Sequence, residues 1–192
     1  MGIRHQAPTH PHWNYFVVLE QDLEKASRFV EFAEANFQAY SLEFAHLLFA
    51  AASEVEVVMK QLCELFKPGE NPGNMPEYRN ILRKKAHLPH LGARKVTVPR
   101  FGLTLQPWEN WLSETEGQIW WASYNSVKHA RHTSFHEATL KNALNAVAGL
   151  YLLVLELASR KREGDDINLL EALEVQAQRM EPRSRMFVIG GS

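Results

Sequence analysis

The strongest constraint on the fold of this chain is the spacing of its apolar residues at 42–66. Leu42, Ala45, Phe49, Ala52, Val55, Met59, Leu62 and Phe66 alternate in steps of three and four, so one face of a long helix must be buried against something else. Pro68-Gly69 directly after this run supplies the stop. A second apolar stripe, Leu140, Ala143, Leu144, Val147, Leu150, Tyr151, Val154 and Leu157, predicts another long helix over 138–160. Two such stripes need more helices to cover them, which points to an all-α domain.

The remaining elements follow from local signals. Leu19, Leu23, Ala26, Val30, Ala33, Phe37 and Tyr40 keep helical spacing and predict a first long helix over 19–40, linked near Ser41 to the second as an antiparallel neighbour or a kinked pair. Residues 77–87 read as a shorter basic helix closed by Pro89. Lys95-Val96-Thr97-Val98 and Phe101-Gly102-Leu103-Thr104-Leu105 flank Pro99-Arg100 and predict a small hairpin. Trp108 and Trp111 read as an irregular anchor placing two indoles on the helices, and 118–129 as helical. Ser134-Phe135-His136-Glu137 has the form of a capping box that starts the last long helix. After Gly164-Asp165-Asp166, residues 168–180 form a weaker candidate helix, and 182–192 an extended tail. The expected architecture is an up-and-down bundle of four main helices with a small β-hairpin insertion. It divides into an N-terminal extension at 1–18, a bundle domain at 19–160 carrying the hairpin near 95–105, and a short helix and tail at 161–192.

Composition bounds the function. The chain has 192 residues, 45% of them hydrophobic, which suffices for one domain with its own core. A net charge of −1 argues against indiscriminate coating of nucleic acid, but the charge is unevenly placed. Between Tyr78 and Trp108 there are bases (Arg79, Arg83, Lys84, Lys85, Arg94, Lys95, Arg100) and no acid, the footprint of a local anion contact or of a solvated loop region. Cys63, the only cysteine, lies in an apolar run and reads as a small core residue. One thiol builds neither an internal disulfide nor a thiolate zinc site. The start lacks the apolar core of a signal peptide, and the longest apolar run, 149–155, is far below the ~20 residues of a membrane span. The expected location is the cytoplasm, with no membrane contact.

The chemistry concentrates at 120–136. Lys128, His129, Arg131, His132 and His136 fall close together with no acid among them. Arginine is a permanent bidentate fork for phosphate, and histidine titrates near ~6.5, so this cluster can hold an anion and move a proton. Those are the requirements of metal-free phosphodiester chemistry. The bland alternative pairs Arg131 with Glu116 or Glu137 and leaves the histidines as surface residues.

Arg131, then polar His132, then His136 at a loop-to-helix junction before the last long helix resembles the motif of the HEPN superfamily. The upstream run Trp120-Trp121…Tyr124-Asn125…Lys128-His129 is similar to a bacterial subgroup of it. The resemblance implies a small helical bundle acting as a metal-independent endoribonuclease in toxin or phage-defence systems. In that reading Arg131 holds the scissile phosphate, His136 moves the proton and His132 orients the arginine or the phosphate. Lys128, His129, Asn125 and Tyr124 extend the substrate site. It further implies RNA as substrate, a homodimer that doubles the site, an antitoxin partner, and no cofactor or metal. The alternative function is a non-catalytic module binding nucleotide, RNA or a partner protein through the same surface.

Other constellations are weaker. Glu43 and His46 form one ExxH unit, half of a di-iron motif, and no second unit exists. They read better as a polar stripe with Ser53, Glu56 and Lys60. His5, His10 and His12, and His87 with His90, could catch a metal adventitiously. Trp120, Trp121 and Tyr124 suit base stacking, but filling the core is the commoner task of such rings.

Overall fold

The computed structural model describes residues 10–84, 88–113, 115, 117–160, 177 and 183–190. The protein is mostly helical with a small three-stranded antiparallel sheet. The central pair is α2 (Leu42–Phe66) and α6 (Leu140–Arg160), with α1 (Pro11–Ala26) and α4 (Ile119–His129) packed against both. A short α3 (Met75–Leu82) lies on α2, and α5 (Arg131–Ser134) joins α4 to the approach of α6.

Local chemistry accounts for most of these boundaries. Ser41 caps α2, its hydroxyl accepting from the Phe44 amide at 3.1 Å, and the chain turns away through Gly69 at φ 82°, a left-handed value that glycine adopts without strain. Asn74 caps α3 in the same way, and Glu77 reaches back to the Gly73 amide at 2.7 Å. The α3 helix ends at Leu82 rather than near 87, and residues 85–87 lie outside the described part.

The first helix departs from expectation at both ends. It starts at Pro11, so that residues 11–18, expected as an extension, bring Trp13 and Phe16 fully into the core. It stops at Ala26, where the Ser27 hydroxyl donates to the Glu24 carbonyl and the Phe29 amide bonds to Ala26 as a tight turn. Beyond it the buried ring is Phe32, packed 5.0 Å from Phe101 of the hairpin. The apolar spacing of Val30, Ala33 and Phe37 is therefore not a helix face.

The hairpin forms as expected. Here β1 (Val96–Val98) and β2 (Leu103–Leu105) pair with Val96 opposite Leu105, and Gly102 at φ 63° closes the turn. A third strand, β3 (Val188–Ile189), pairs with the other edge of β1, so part of the expected tail belongs to the fold. The buried Glu20 of α1 anchors it, accepting from the Ser184 hydroxyl at 2.5 Å and from the Arg185 and Met186 amides at 3.0 and 2.9 Å. A buried carboxylate is stable only when donors surround it in this way. The expected helix at 168–180 lies outside the described residues, apart from Ala177.

The two indoles of the anchor are fully buried. Trp108 donates to the Gly149 carbonyl at 3.3 Å and Trp111 to the Leu88 carbonyl at 2.8 Å. By length and apolarity α6 could cross a membrane, yet 83% of its apolar window is buried inside the fold, as befits a core helix. Cys63 is fully buried on α2, and burial pushes its thiol up to about 12. A buried thiol held in its neutral form is a poor nucleophile at pH 8. A thiol reagent at that pH should leave the native chain unmodified over hours and label it fully in denaturant; rapid labelling of folded protein would contradict this burial.

A candidate anion and proton-transfer site between helices four and six

The residues singled out in the sequence occupy the last turn of α4, the short α5, and a 3-10 turn at Phe135–Glu137. Lys128, His129, Arg131, His132 and His136 are all exposed, whereas Tyr124 is buried and Asn125 half-buried. What fixes the segment is a small apolar cluster of Ala45, Val127 and Ala138, with Phe49 and Phe135 against it. Arg131 lies over two of these rings, its guanidinium 5.9 Å from the centre of Phe49 and 5.6 Å from that of Phe135. Lys128 sits 5.3 Å from the Tyr124 ring. Such contacts orient a cation while leaving its donors toward solvent.

No carboxylate among the described residues pairs with Arg131, Glu137 included. Glu116 lies outside the described part. Among the described residues no side-chain hydrogen bond engages His129, His132 or His136 either. The segment thus presents cationic and titratable groups whose polar atoms face solvent, placed by aromatic packing rather than by ion pairs.

The expected capping box is not formed. Ser134 makes no cap hydrogen bond, and α6 begins at Leu140. Its cap is Thr139, whose hydroxyl accepts from the Asn142 amide at 3.2 Å. The next orphan donors are taken by a distant segment, as the Leu140 amide bonds to the Ala39 carbonyl at 2.8 Å and the Lys141 amide to that of Phe37 at 3.2 Å. His136 is therefore not in the first turn of the last helix, and with its first amides consumed that helix end offers little to an anion. Whatever anion affinity the cluster has comes from its side chains.

Comparison with protein-family models, with curated proteins and with solved structures finds no match for this chain. The reading of the site consequently rests on its own residues.

The other candidates separate cleanly. Glu43 and His46 are both exposed on α2. Farther along the same helix Glu56 pairs with Lys60 at 3.5 Å and accepts from the Tyr78 hydroxyl at 3.2 Å. Both ring nitrogens of His12 are engaged, by Glu54 and Gln61 at 2.6 Å each, and His90 bonds to the buried Glu156 at 2.5 Å. His5 and His87 lie outside the described residues. Among the described residues no group of three or more His, Cys, Asp or Glu side chains could hold a metal ion. The basic segment disperses as well: Arg94 is buried, Arg100 reaches Glu24 at 3.7 Å, and Arg79 and Arg83 turn toward α4.

One feature escaped the sequence. Arg79 and Arg83 line a pocket of about 450 Å³ between α3 and the first turns of α4, together with Gln118, Trp121 and Asn125. Gln118 is 2% exposed, and neither atom of its amide has a hydrogen-bond partner among the described residues. The spacing of Gln118, Trp121, Asn125 and His129 on one helix face was the available signal, since it aligns the pocket with the basic cluster.

Proposed function

We propose that the chain is a metal-independent endoribonuclease of HEPN type, built on an up-and-down bundle of four main helices and serving a toxin or phage-defence role. The observation that carries this reading is Arg131: an arginine held on Phe49 and Phe135, free of any carboxylate among the described residues, beside exposed His132 and His136. A guanidinium in that condition is available to a phosphate and to the charge that develops on it during transfer. The 2′-hydroxyl of the RNA attacks the adjacent phosphorus, forming a P–O bond as the bond to the 5′-oxygen of the next nucleotide breaks. His136 carries the proton from the attacking hydroxyl or to the leaving oxygen. The products are a cyclic phosphate and a free 5′-hydroxyl. His132 orients Arg131 or the phosphate, and Lys128 and His129 reach neighbouring phosphates.

A homodimer would double this sparse site. The exposed Tyr40 and Leu42 support it, since the Tyr40 ring meets Phe135 edge-on at 5.7 Å and an apolar surface therefore adjoins the motif. An antitoxin would cover the same cations. The purified chain, incubated with a mixed RNA pool in excess EDTA, should still cut and leave cyclic-phosphate ends. Cleavage abolished by EDTA and restored by a divalent ion would overturn the mechanism.

A second reading is favoured by the openness of the cluster. No side chain fixes the imidazole of His136 among the described residues, and general bases are commonly oriented by a partner. On that reading the same surface binds RNA, a nucleotide or a protein without cutting anything.

A further inference from the structure

We infer that the pocket between α3 and α4 is a nucleobase-binding subsite, with the amide of Gln118 reading the edge of the base and Trp121 packing against its face. The inference deepens the proposed RNA reading by supplying a place for one base beside the basic cluster.

The argument starts from Gln118. A glutamine amide carries donors and an acceptor, and burying it unpartnered costs stability. This side chain is 2% exposed, with neither Nε2 nor Oε1 bonded among the described residues. An unmet donor and acceptor side by side match the edge of a nucleobase, which presents an adjacent donor and acceptor at the same separation. A phosphodiester offers acceptors only and would leave the Gln118 carbonyl unmet. Trp121, one turn on, is half-buried and lines the same pocket. It is braced by Trp120 at 5.6 Å and Tyr124 at 5.2 Å, as a stacking platform requires. The volume of about 450 Å³ falls within the range of small-ligand sites.

The flanks carry the charge that a nucleotide would need. Arg79 on α3 and Arg83, directly after its last residue, stand one turn apart and line the pocket. Burial, with the neighbouring Arg83, lowers the pKa of Arg79. Asn125 also lines the pocket, and His129 follows it by one turn of the same helix. A strand with one base against Gln118 would run along α4 toward Arg131. Gln118 also lines a smaller pocket of about 240 Å³ against β2 and α6, with the buried Trp120 and the half-buried Asn145. That pocket has only the buried Trp120 for an indole and no arginine pair.

The test titrates the full-length chain with the four nucleoside monophosphates, with single-stranded RNA homopolymers of twelve nucleotides, and with inorganic phosphate, followed by tryptophan fluorescence and calorimetry. At least one nucleotide should saturate the protein where phosphate alone does not. Gln118→Leu should weaken that binding tenfold or more while its melting temperature stays at or above that of the parent, because the unpartnered amide is gone. Trp121→Leu should weaken it similarly, and Asn145→Ala should leave mononucleotide binding intact. Tighter binding of a homopolymer, reduced by Arg131→Ala, would identify a base within an RNA strand. Homopolymer binding no tighter than that of its mononucleotide would identify a free nucleotide as the ligand. Saturation equal in Gln118→Leu and parent, loss with Asn145→Ala alone, or no saturation at millimolar nucleotide would overturn the subsite. Cleavage plays no part in this readout: base binding without cleavage retires only the nuclease, and cleavage without base binding retires only the subsite.

Discussion

Replacing Trp108 by alanine is expected to lower stability by about 3–5 kcal/mol, the range for removing a large buried aromatic. The side chain is fully buried, 5.5 Å from Trp111 and 5.3 Å from Trp120, both edge-on. Truncation opens a cavity between the two remaining indoles and removes the bond that Trp108 gives to the Gly149 carbonyl. The anchor has no regular structure of its own, so the surrounding chain is held chiefly by these rings. For a domain of this size each kcal/mol moves the melting temperature by roughly 2–4 °C, so the midpoint should fall by roughly 6–20 °C. Gly149→Ala should act in the same direction. A Cβ there would stand 3.3 Å from ring atoms of both Trp108 and Trp120, which explains a glycine inside a core helix despite its poor helical propensity. Thermal and urea melts followed by circular dichroism measure both variants. A Trp108→Ala chain within about 1 kcal/mol of the parent would mean that the anchor is not a structural keystone.

The parts legible in the sequence are those decided locally. The α2 helix carries its own cap at Ser41, an unbroken stripe, and Pro68-Gly69 as a stop, so its span follows from residues within it. The hairpin at 96–105 and the burial of Trp108 and Trp111 were equally readable from β-rich flanks and aromatic bulk. What could not be read depends on distant partners. Nothing between Ala26 and Tyr40 announces a helix end, because no glycine or proline stands there and the competing structure is made with the hairpin through Phe32 and Phe101. Ser134 and Glu137 satisfy the capping pattern, yet the cap goes to Thr139 because the carbonyls of Phe37 and Ala39 take the amides of Lys141 and Leu140. Glu20 reads as one surface acid of many until the chain returns at residues 184–186 to surround it. The candidate site shares this division. Its residue types and their clustering were local facts, whereas the support of Arg131 by Phe49 and the pocket joining Gln118 to Arg79 are products of packing.

Two substitutions in the cluster should separate enzyme from binder. His136→Ala removes the proposed proton carrier and leaves Arg131 on its two rings, so RNA affinity should stay within about twofold while the cleavage rate falls about 10²–10⁴-fold. Arg131→Ala removes one side chain that serves both the bound phosphate and the charge of the transition state, so affinity and rate should fall together. Neither change should unfold the chain, since both side chains are exposed; the loss of the Arg131 contacts with Phe49 and Phe135 should cost at most about 1 kcal/mol. Single-turnover cleavage of a mixed RNA pool, filter binding of the same pool and growth on overexpression give the three readouts. The nuclease reading requires that His136→Ala abolish cutting and toxicity with binding retained. If the parent binds RNA without cutting it and Arg131→Ala alone weakens that binding, the cluster is a recognition surface, and the exposed, unoriented imidazole of His136 is the physical reason.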